Sequence, residues 1–197
     1  MNYPLTSGKV PARLRRAAPL LFALCACLSL AAAAAAQHRE HLTSEEIELV
    51  RENQELDART NVFIKAAERR LLAVTNPAES AKNAPKEKEK WGEVQGTSTQ
   101  LFYDISKILD EAVVNVDDVA EHNPESPLLR KSLYMLSEAT GRMLPQLTKL
   151  RETPGSEAEA DQLDRALETA REITDAAKER GVTAEDLKTK AKAAKKN

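Results

Sequence analysis

Residues 98–120, STQLFYDISKILDEAVVNVDDVA, carry the strongest structural signal in this 197-residue chain. Apolar side chains recur there at alternating spacings of three and four residues, at Phe102, Ile105, Leu109, Ala112, Val116 and Val119. On a helix these positions form one stripe, which other apolar residues widen into a face broad enough for burial. The valine-rich part, 112–119, is compatible with a strand, but the helical period continues on both sides of it. The stretch therefore predicts a long amphipathic helix.

Three further segments have the same helical period: residues 43–75, 127–150 and 156–180. The first and the last begin with the capping-box sequences Thr43-Ser44-Glu45-Glu46 and Ser156-Glu157-Ala158-Glu159, in which the side chains of the first and fourth residues bond each other's backbone amides. Four amphipathic helices of this length predict an all-α fold, namely a four-helix antiparallel bundle over residues 43–182.

Prolines and glycines punctuate this bundle. Pro145 lies inside the third helix, where its ring conflicts with the carbonyl four residues back, so we expect a kinked or broken helix there. Residues 76–97 contain two prolines and two glycines and predict a long loop after helix one. Residues 183–197 predict a short helix followed by a lysine-rich tail. Asn53, Thr60 and Thr140 are polar residues at positions of the apolar stripes, where such residues can fix helix register.

The N-terminal 36 residues have the order of charges and apolar residues that is typical of a secretory signal. Basic residues precede an apolar stretch at 17–30, and six alanines follow it at 31–36. Cleavage near Ala36 would leave a flexible segment, 37–42, ahead of the bundle. The sequence thus predicts an exported protein, periplasmic or extracellular.

Two alternatives to a cleaved signal remain open. The apolar stretch is about as long as a transmembrane helix, so it can instead anchor the chain. Leu24-Cys25-Ala26-Cys27 resembles a bacterial lipobox, which would make the protein a lipoprotein attached to the membrane through Cys27.

Charge and cysteine content exclude several function classes. The leader carries four of the 29 basic residues and none of the 31 acidic ones, so the rest of the chain has a formal charge of −6. Such a chain is not built to bind nucleic acid as a whole. Both cysteines, Cys25 and Cys27, lie in the leader, which excludes disulfides and cysteine nucleophiles from the processed protein. No G-x-S-x-G or phosphate-binding loop occurs, and we expect neither an enzyme nor a cofactor.

The three histidines offer only limited metal chemistry. His38 and His41 lie near the new N-terminus, where they can bind a divalent ion together with the free amine, or remain solvated. Asp118 and His122 share a helix face four residues apart. They are either a second pair of ligands or surface charge at a helix end. Asp110, Glu111, Asp117 and Asp118 form an acidic strip that is suited to a cation or a basic partner, or is only the solvated face of the helix.

Two features suggest interaction with other molecules. Trp91, the only tryptophan, lies in the predicted loop and either contacts a partner or covers one end of the bundle. The C-terminal lysines can contact an anionic membrane or wall polymer, or remain solvated: Lys188, Lys190, Lys192, Lys195 and Lys196.

His41-Leu42-Thr43-Ser44-Glu45-Glu46 resembles the Leu-Thr-x-x-Gln helix start of small periplasmic chaperones and metal-responsive envelope proteins, with Glu45 or Glu46 at the glutamine position. The resemblance covers six residues and implies a helical, exported protein that binds unfolded or partner proteins. A capping box accounts for the same residues locally, so no family is assigned.

Taken with the composition, these features predict a non-enzymatic envelope protein acting by protein–protein contact, as a scaffold or chaperone-like binder of a protein partner or of its own copies. The alternative is a carrier that holds a ligand in the bundle core or a metal at the N-terminal histidines.

We expect intact mass spectrometry of the exported chain to give a protein that starts at Gln37. Alkylating reagents should add no mass to it, because both cysteines leave with the leader. Retention of residues 1–36 would contradict this prediction, and a fatty-acylated N-terminus at Cys27 would establish the lipoprotein alternative.

Overall fold

The computed structural model describes residues 40–189, in which every regular element is helical. The α-helices are α1 (Ser44–Glu52), α2 (Leu56–Thr75), α3 (Pro77–Trp91), α4 (Ser98–His122), α5 (Leu128–Arg151) and α6 (Glu157–Glu179). A short 3-10 helix follows at Ala184–Lys188. The predicted all-α class is confirmed, but the predicted helix count is wrong, because six α-helices rather than four are formed over this range.

The first additional helix arises because the predicted helix 43–75 is interrupted at Asn53. The Asn53 backbone N–H and its side-chain amide both donate to the Leu49 carbonyl, at 3.1 and 2.7 Å. Asn53 itself has extended backbone angles, and its own carbonyl accepts from Arg59 Nε at 3.1 Å. Asparagine side chains compete for helical hydrogen bonds in this way. The polar residue in the apolar stripe is therefore the end of α1.

The second additional helix corrects the prediction of a loop over 76–97, since α3 occupies most of that range. Asn76 caps α3 by accepting from the Glu79 amide at 3.2 Å, and Pro77 stands at the first helical position, where its missing N–H costs nothing. Pro85 removes one internal hydrogen bond, but no residue of α3 is buried, so the helix can adjust around it. Only residues 92–97 remain a connection.

The four longest helices, α2, α4, α5 and α6, contact one another around a ring. Extensive contacts join α2 to α4, α4 to α6, α6 to α5 and α5 to α2, whereas α4 and α5 touch only slightly across the middle. Although only residues 123–127 connect them, α4 and α5 are therefore not close neighbours in the ring.

Side-chain pairs give the helix directions. Asp57 bonds Lys131 at 2.6 Å and Glu68 bonds Arg142 at 2.9 Å, so α2 and α5 run parallel.

Arg59 bonds Asn115 at 3.0 Å, and Arg70 lies 4.0 Å from Asp104, so α2 and α4 run antiparallel. A purely antiparallel four-helix bundle is therefore not confirmed.

The core is one continuous cluster contributed by all four long helices. Among its fully buried side chains are Phe63, Phe102, Leu109, Leu136 and Leu163. The predicted break at Pro145 is not found, because α5 continues through this exposed residue to Arg151. Thr60 and Thr140 are buried and donate to the carbonyls four residues earlier, at 2.7 and 2.9 Å, which satisfies their hydroxyls inside the core.

Replacing Leu109 with alanine should lower the free energy of unfolding by about 2–5 kcal/mol, because a fully buried side chain leaves a cavity. Val114→Ala on the same helix is the control, since Val114 is 63% exposed and should change stability by less than about 0.5 kcal/mol. Denaturant titration followed by circular dichroism measures both, and similar losses for the two variants would contradict this description of the core.

Candidate functional site

A groove opens on the surface between the parallel helices α4 and α6. Its walls include Val113, Val114 and Ala176, and its floor includes the nearly buried α5 side chain Leu133, with the fully buried Leu136 beneath it. The cavity has a volume of about 340 Å³. The groove, defined by these residues and by the charged residues described next, is the candidate functional site.

Charged side chains border this apolar surface. Asp110, Asp117, Glu172 and Arg180 lie around it, giving three carboxylates and one guanidinium. Asp110 is partly neutralised, because Lys107 Nζ lies 3.2 Å from one of its oxygens and the Thr169 hydroxyl donates to the other at 3.1 Å. The border is therefore predominantly acidic.

Sequence analysis identified part of this site. Asp110 and Asp117 belong to the acidic strip, for which both a positively charged partner and simple solvation remained open, and the structure places both at the groove. Glu111 and Asp118, the other members of the strip, lie outside it. Val114 was missed, although it is the most exposed of the large apolar residues in the described part of the chain. The sequence does carry a signal for this residue, because the valine-rich part, 112–119, contains more valines than one helical stripe uses.

A second cluster of polar residues is buried where α1, α2, α3 and α4 meet. The Glu46 carboxylate is fully buried and accepts hydrogen bonds from Arg69 Nη1 and Arg70 Nη1, each at 2.6 Å. Its other oxygen accepts from the Thr43 amide at 3.0 Å, completing the predicted capping box. Asp104 is also buried, 4.0 Å from Arg70 Nε. We call these residues the ion cluster: Glu46, Arg69, Arg70 and Asp104.

Backbone carbonyls accept hydrogen bonds from several of the other guanidinium donors of the ion cluster, whereas the buried Arg70 Nε forms no hydrogen bond. Arg69 donates to the carbonyls of Trp91 and Gly92, at 2.9 and 2.6 Å, and Arg70 donates to that of His41 at 2.8 Å. Buried charges are tolerated when paired and hydrogen-bonded in this manner. Because these bonds use the chain itself, the ion cluster is interpreted as a structural joint.

Gly92 packs against the start of α1 at this joint. Its φ is +68°, and a Cβ placed on it would lie 2.8 Å from Thr43 Oγ1 and closer still to the Glu45 carboxylate. A side chain is therefore excluded both by backbone conformation and by space.

Glu87 extends the ion cluster toward solvent. It bonds Lys65 and Arg69, each at 3.1 Å. Burial acts to raise the pKa of this carboxyl, but the hydrogen bonds and charges of Lys65 and Arg69 lower it below the ordinary value. The ionised form is thus stabilised in the folded protein. This contribution to stability is present above the ordinary carboxyl pKa and is lost as the pH falls through the lowered value.

The candidate metal ligands in the described range lie in two separate places. His41 Nε2 lies 2.7 Å from Glu111 Oε2, while His122 bonds Asp118 on an exposed surface at 3.3 Å. His38 lies outside the described residues. Across residues 40–189, no three histidine, cysteine or acidic side chains form a group able to hold a metal ion. Leu42, in the segment 37–42 that was expected to be flexible, is buried.

Trp91 and Lys188 are the two expected interaction residues that lie within the described part of the chain. The Trp91 ring is half-buried, with Arg69 and Lys90 each 5.9 Å from its centre, and its carbonyl accepts from Thr43 Oγ1 at 2.7 Å. The residue thus belongs to the joint. Lys188 is exposed and pairs with Glu185 at 2.6 Å. The other predicted contact lysines, Lys190, Lys192, Lys195 and Lys196, lie outside the described residues.

Between residues 40 and 189, no helix has the length and apolarity needed to cross a membrane.

Replacing Glu46 with glutamine should lower the free energy of unfolding by about 3 kcal/mol or more, because two buried guanidiniums lose their shared negative charge. Glu48→Gln is the control: Glu48 pairs with Arg51 on the surface, where an ion pair contributes at most about 1 kcal/mol. Urea titration compares the variants, and an unfolding free energy unchanged in Glu46→Gln would refute the structural role of the ion cluster.

Comparison with known proteins gives no family for this chain. No protein-family model matches it, and no significant match is found among curated proteins or solved structures. A functional assignment consequently rests on the geometry and charge of the described residues.

Proposed function

We propose that this chain is an exported, non-enzymatic binding protein of the cell envelope, which holds a protein partner in the groove between α4 and α6. It acts as a scaffold or chaperone-like binder. In this proposal the four long helices serve as a four-helix bundle that supports the binding surface, and α1 and α3 brace one end of it through the ion cluster.

The observation that carries the proposal is the exposed apolar surface of the groove. Val114 is 63% exposed, and Val113 and Ala176, both partly exposed, line the same opening. Exposed apolar surface bordered by polar residues is typical of interaction sites. The amphipathic helix-in-groove mode of recognition uses surfaces of this kind.

The buried charges support a binding role rather than a catalytic one. Within the described chain, Glu46, Arg69 and Arg70 bond one another and the backbone, away from the groove. Polar groups lining the groove are carboxylates, one guanidinium and the Thr169 hydroxyl, which already donates to Asp110. This set suits recognition of a partner by charge and apolar contact.

A ligand carrier is the second candidate, and the groove itself favours it over the bundle core or the N-terminal histidines. Its volume of about 340 Å³ lies near the lower end of the range of roughly 300–1,000 Å³ for small-molecule sites. A small apolar molecule would occupy the same surface as a protein partner, so an experiment at Val114 separates the two.

Photo-crosslinking from position 114 should give a discrete protein adduct. The full chain, with its own leader, would carry benzoylphenylalanine in place of Val114 and be irradiated in the cells that naturally express it. The same substitution at Tyr103 is the control, since Tyr103 is an exposed aromatic residue on α4 outside the groove.

Adducts from position 114 alone would support a protein partner, and their mass would distinguish a second copy of this chain from another protein. The absence of any adduct at 114, or equal adducts at 103 and 114, would contradict binding in the groove.

A further inference from the structure

The border of the groove carries negative charge that the protein leaves uncompensated. Asp117 and Glu172 both line the opening, one from each flanking helix, and both are exposed. Neither carboxylate forms a hydrogen bond or ion pair with any residue in the described range. Arg180 is the single basic residue lining the groove. A ligand with positive charge on both sides of an apolar surface would complement this arrangement.

The dimensions of the groove match a short helix. Its lining residues extend from Thr169 to Arg180 on α6, which is about 16 Å along a helix axis, and from Asp110 to Asp117 on α4, about 10 Å. These lengths correspond to roughly two to three helical turns. The floor is aliphatic, so apolar side chains repeating every three or four residues would contact it along one face.

We propose that the groove receives a basic amphipathic helix from a partner protein, an inference that rests on the proposed binding function and specifies the partner's chemistry. The apolar face of that helix packs on Val113, Val114 and Ala176. Its lysine or arginine side chains extend to Asp117 and Glu172. An anionic membrane surface is disfavoured by the same two carboxylates. Because the charges lie at an exposed border, they act mainly on selectivity and association rate.

The test uses two labelled synthetic peptides with the same leucine pattern, LKKLLKLLKKLLKL and LEELLELLEELLEL, and measures binding to the full chain by fluorescence anisotropy. We expect the lysine peptide to bind and the glutamate peptide to bind at least about tenfold more weakly. Added salt should weaken the binding of the lysine peptide, because ions screen the charges at the border of the groove.

Variants of exposed residues locate the binding. The double variant Asp117→Lys with Glu172→Lys should bind the lysine peptide roughly tenfold more weakly. Val114→Asn should bind both peptides more weakly. The matched control is Glu52→Lys with Glu89→Lys, which reverses two exposed carboxylates in a separate acidic depression between α1 and α3. It should leave binding unchanged, and circular dichroism verifies the fold of each variant.

The possible results separate the basic helical partner from the more general proposal that the groove binds a protein. Loss of binding in the groove variants alone supports the basic helix. Equal binding of both peptides, weakened by Val114→Asn, overturns the charge selection but leaves protein binding in the groove intact. Equal weakening by the control pair means nonspecific attraction to negative charge and overturns the inference. If position 114 crosslinks a protein while neither peptide binds, the helical partner is refuted and the proposed function stands.

Discussion

The shared bonding of Arg69 and Arg70 to the Glu46 carboxylate, at 2.6 Å each, is the interaction on which the arrangement of the short helices depends. A buried ion pair is a weak source of net stability, because desolvation offsets most of the attraction. Its effect here is positional: the two guanidiniums reach the backbone at His41, Trp91 and Gly92 and so fix the start of α1 and the end of α3 against α2. The apolar core alone would not specify these positions, since α3 contributes no buried residue.

The proposed binding surface lies on the other half of α4, where Val114 is exposed. Asp104, toward the N-terminal end of α4, belongs to the ion cluster, whereas Asp110 to Asp117 border the groove. A single helix thus links a rigid polar joint to an open apolar surface. The buried charges of the ion cluster are bonded mainly to one another and to the backbone, whereas Val114 remains exposed.

The apolar period of the sequence was sufficient to predict helices α4, α5 and α6 and much of the apolar surface they bury, because burial on one face imposes a spacing of three and four. It did not predict the end of α1 at Asn53, which depends on one amide bonding back to Leu49, nor α3, whose propensity is masked by Pro85. Only part of the groove could be predicted from the sequence. Asp110 and Asp117 were recognised as an acidic strip, but their position beside Glu172 depends on helix packing, and short connections alone did not reveal that α4 and α6 are neighbours.

The parallel pairing of α2 with α5 has a consequence for the order of folding. It joins residues 74 positions apart, at Asp57–Lys131 and Glu68–Arg142, whereas the α5–α6 hairpin joins Arg151 to Asp164, only 13 positions apart. Closing a longer loop costs more chain entropy before any contact forms. The α5–α6 hairpin is therefore expected to form early, and the pairing of α2 with α5 to form late. During synthesis α2 emerges first, so it must remain without this partner until residue 151 has appeared.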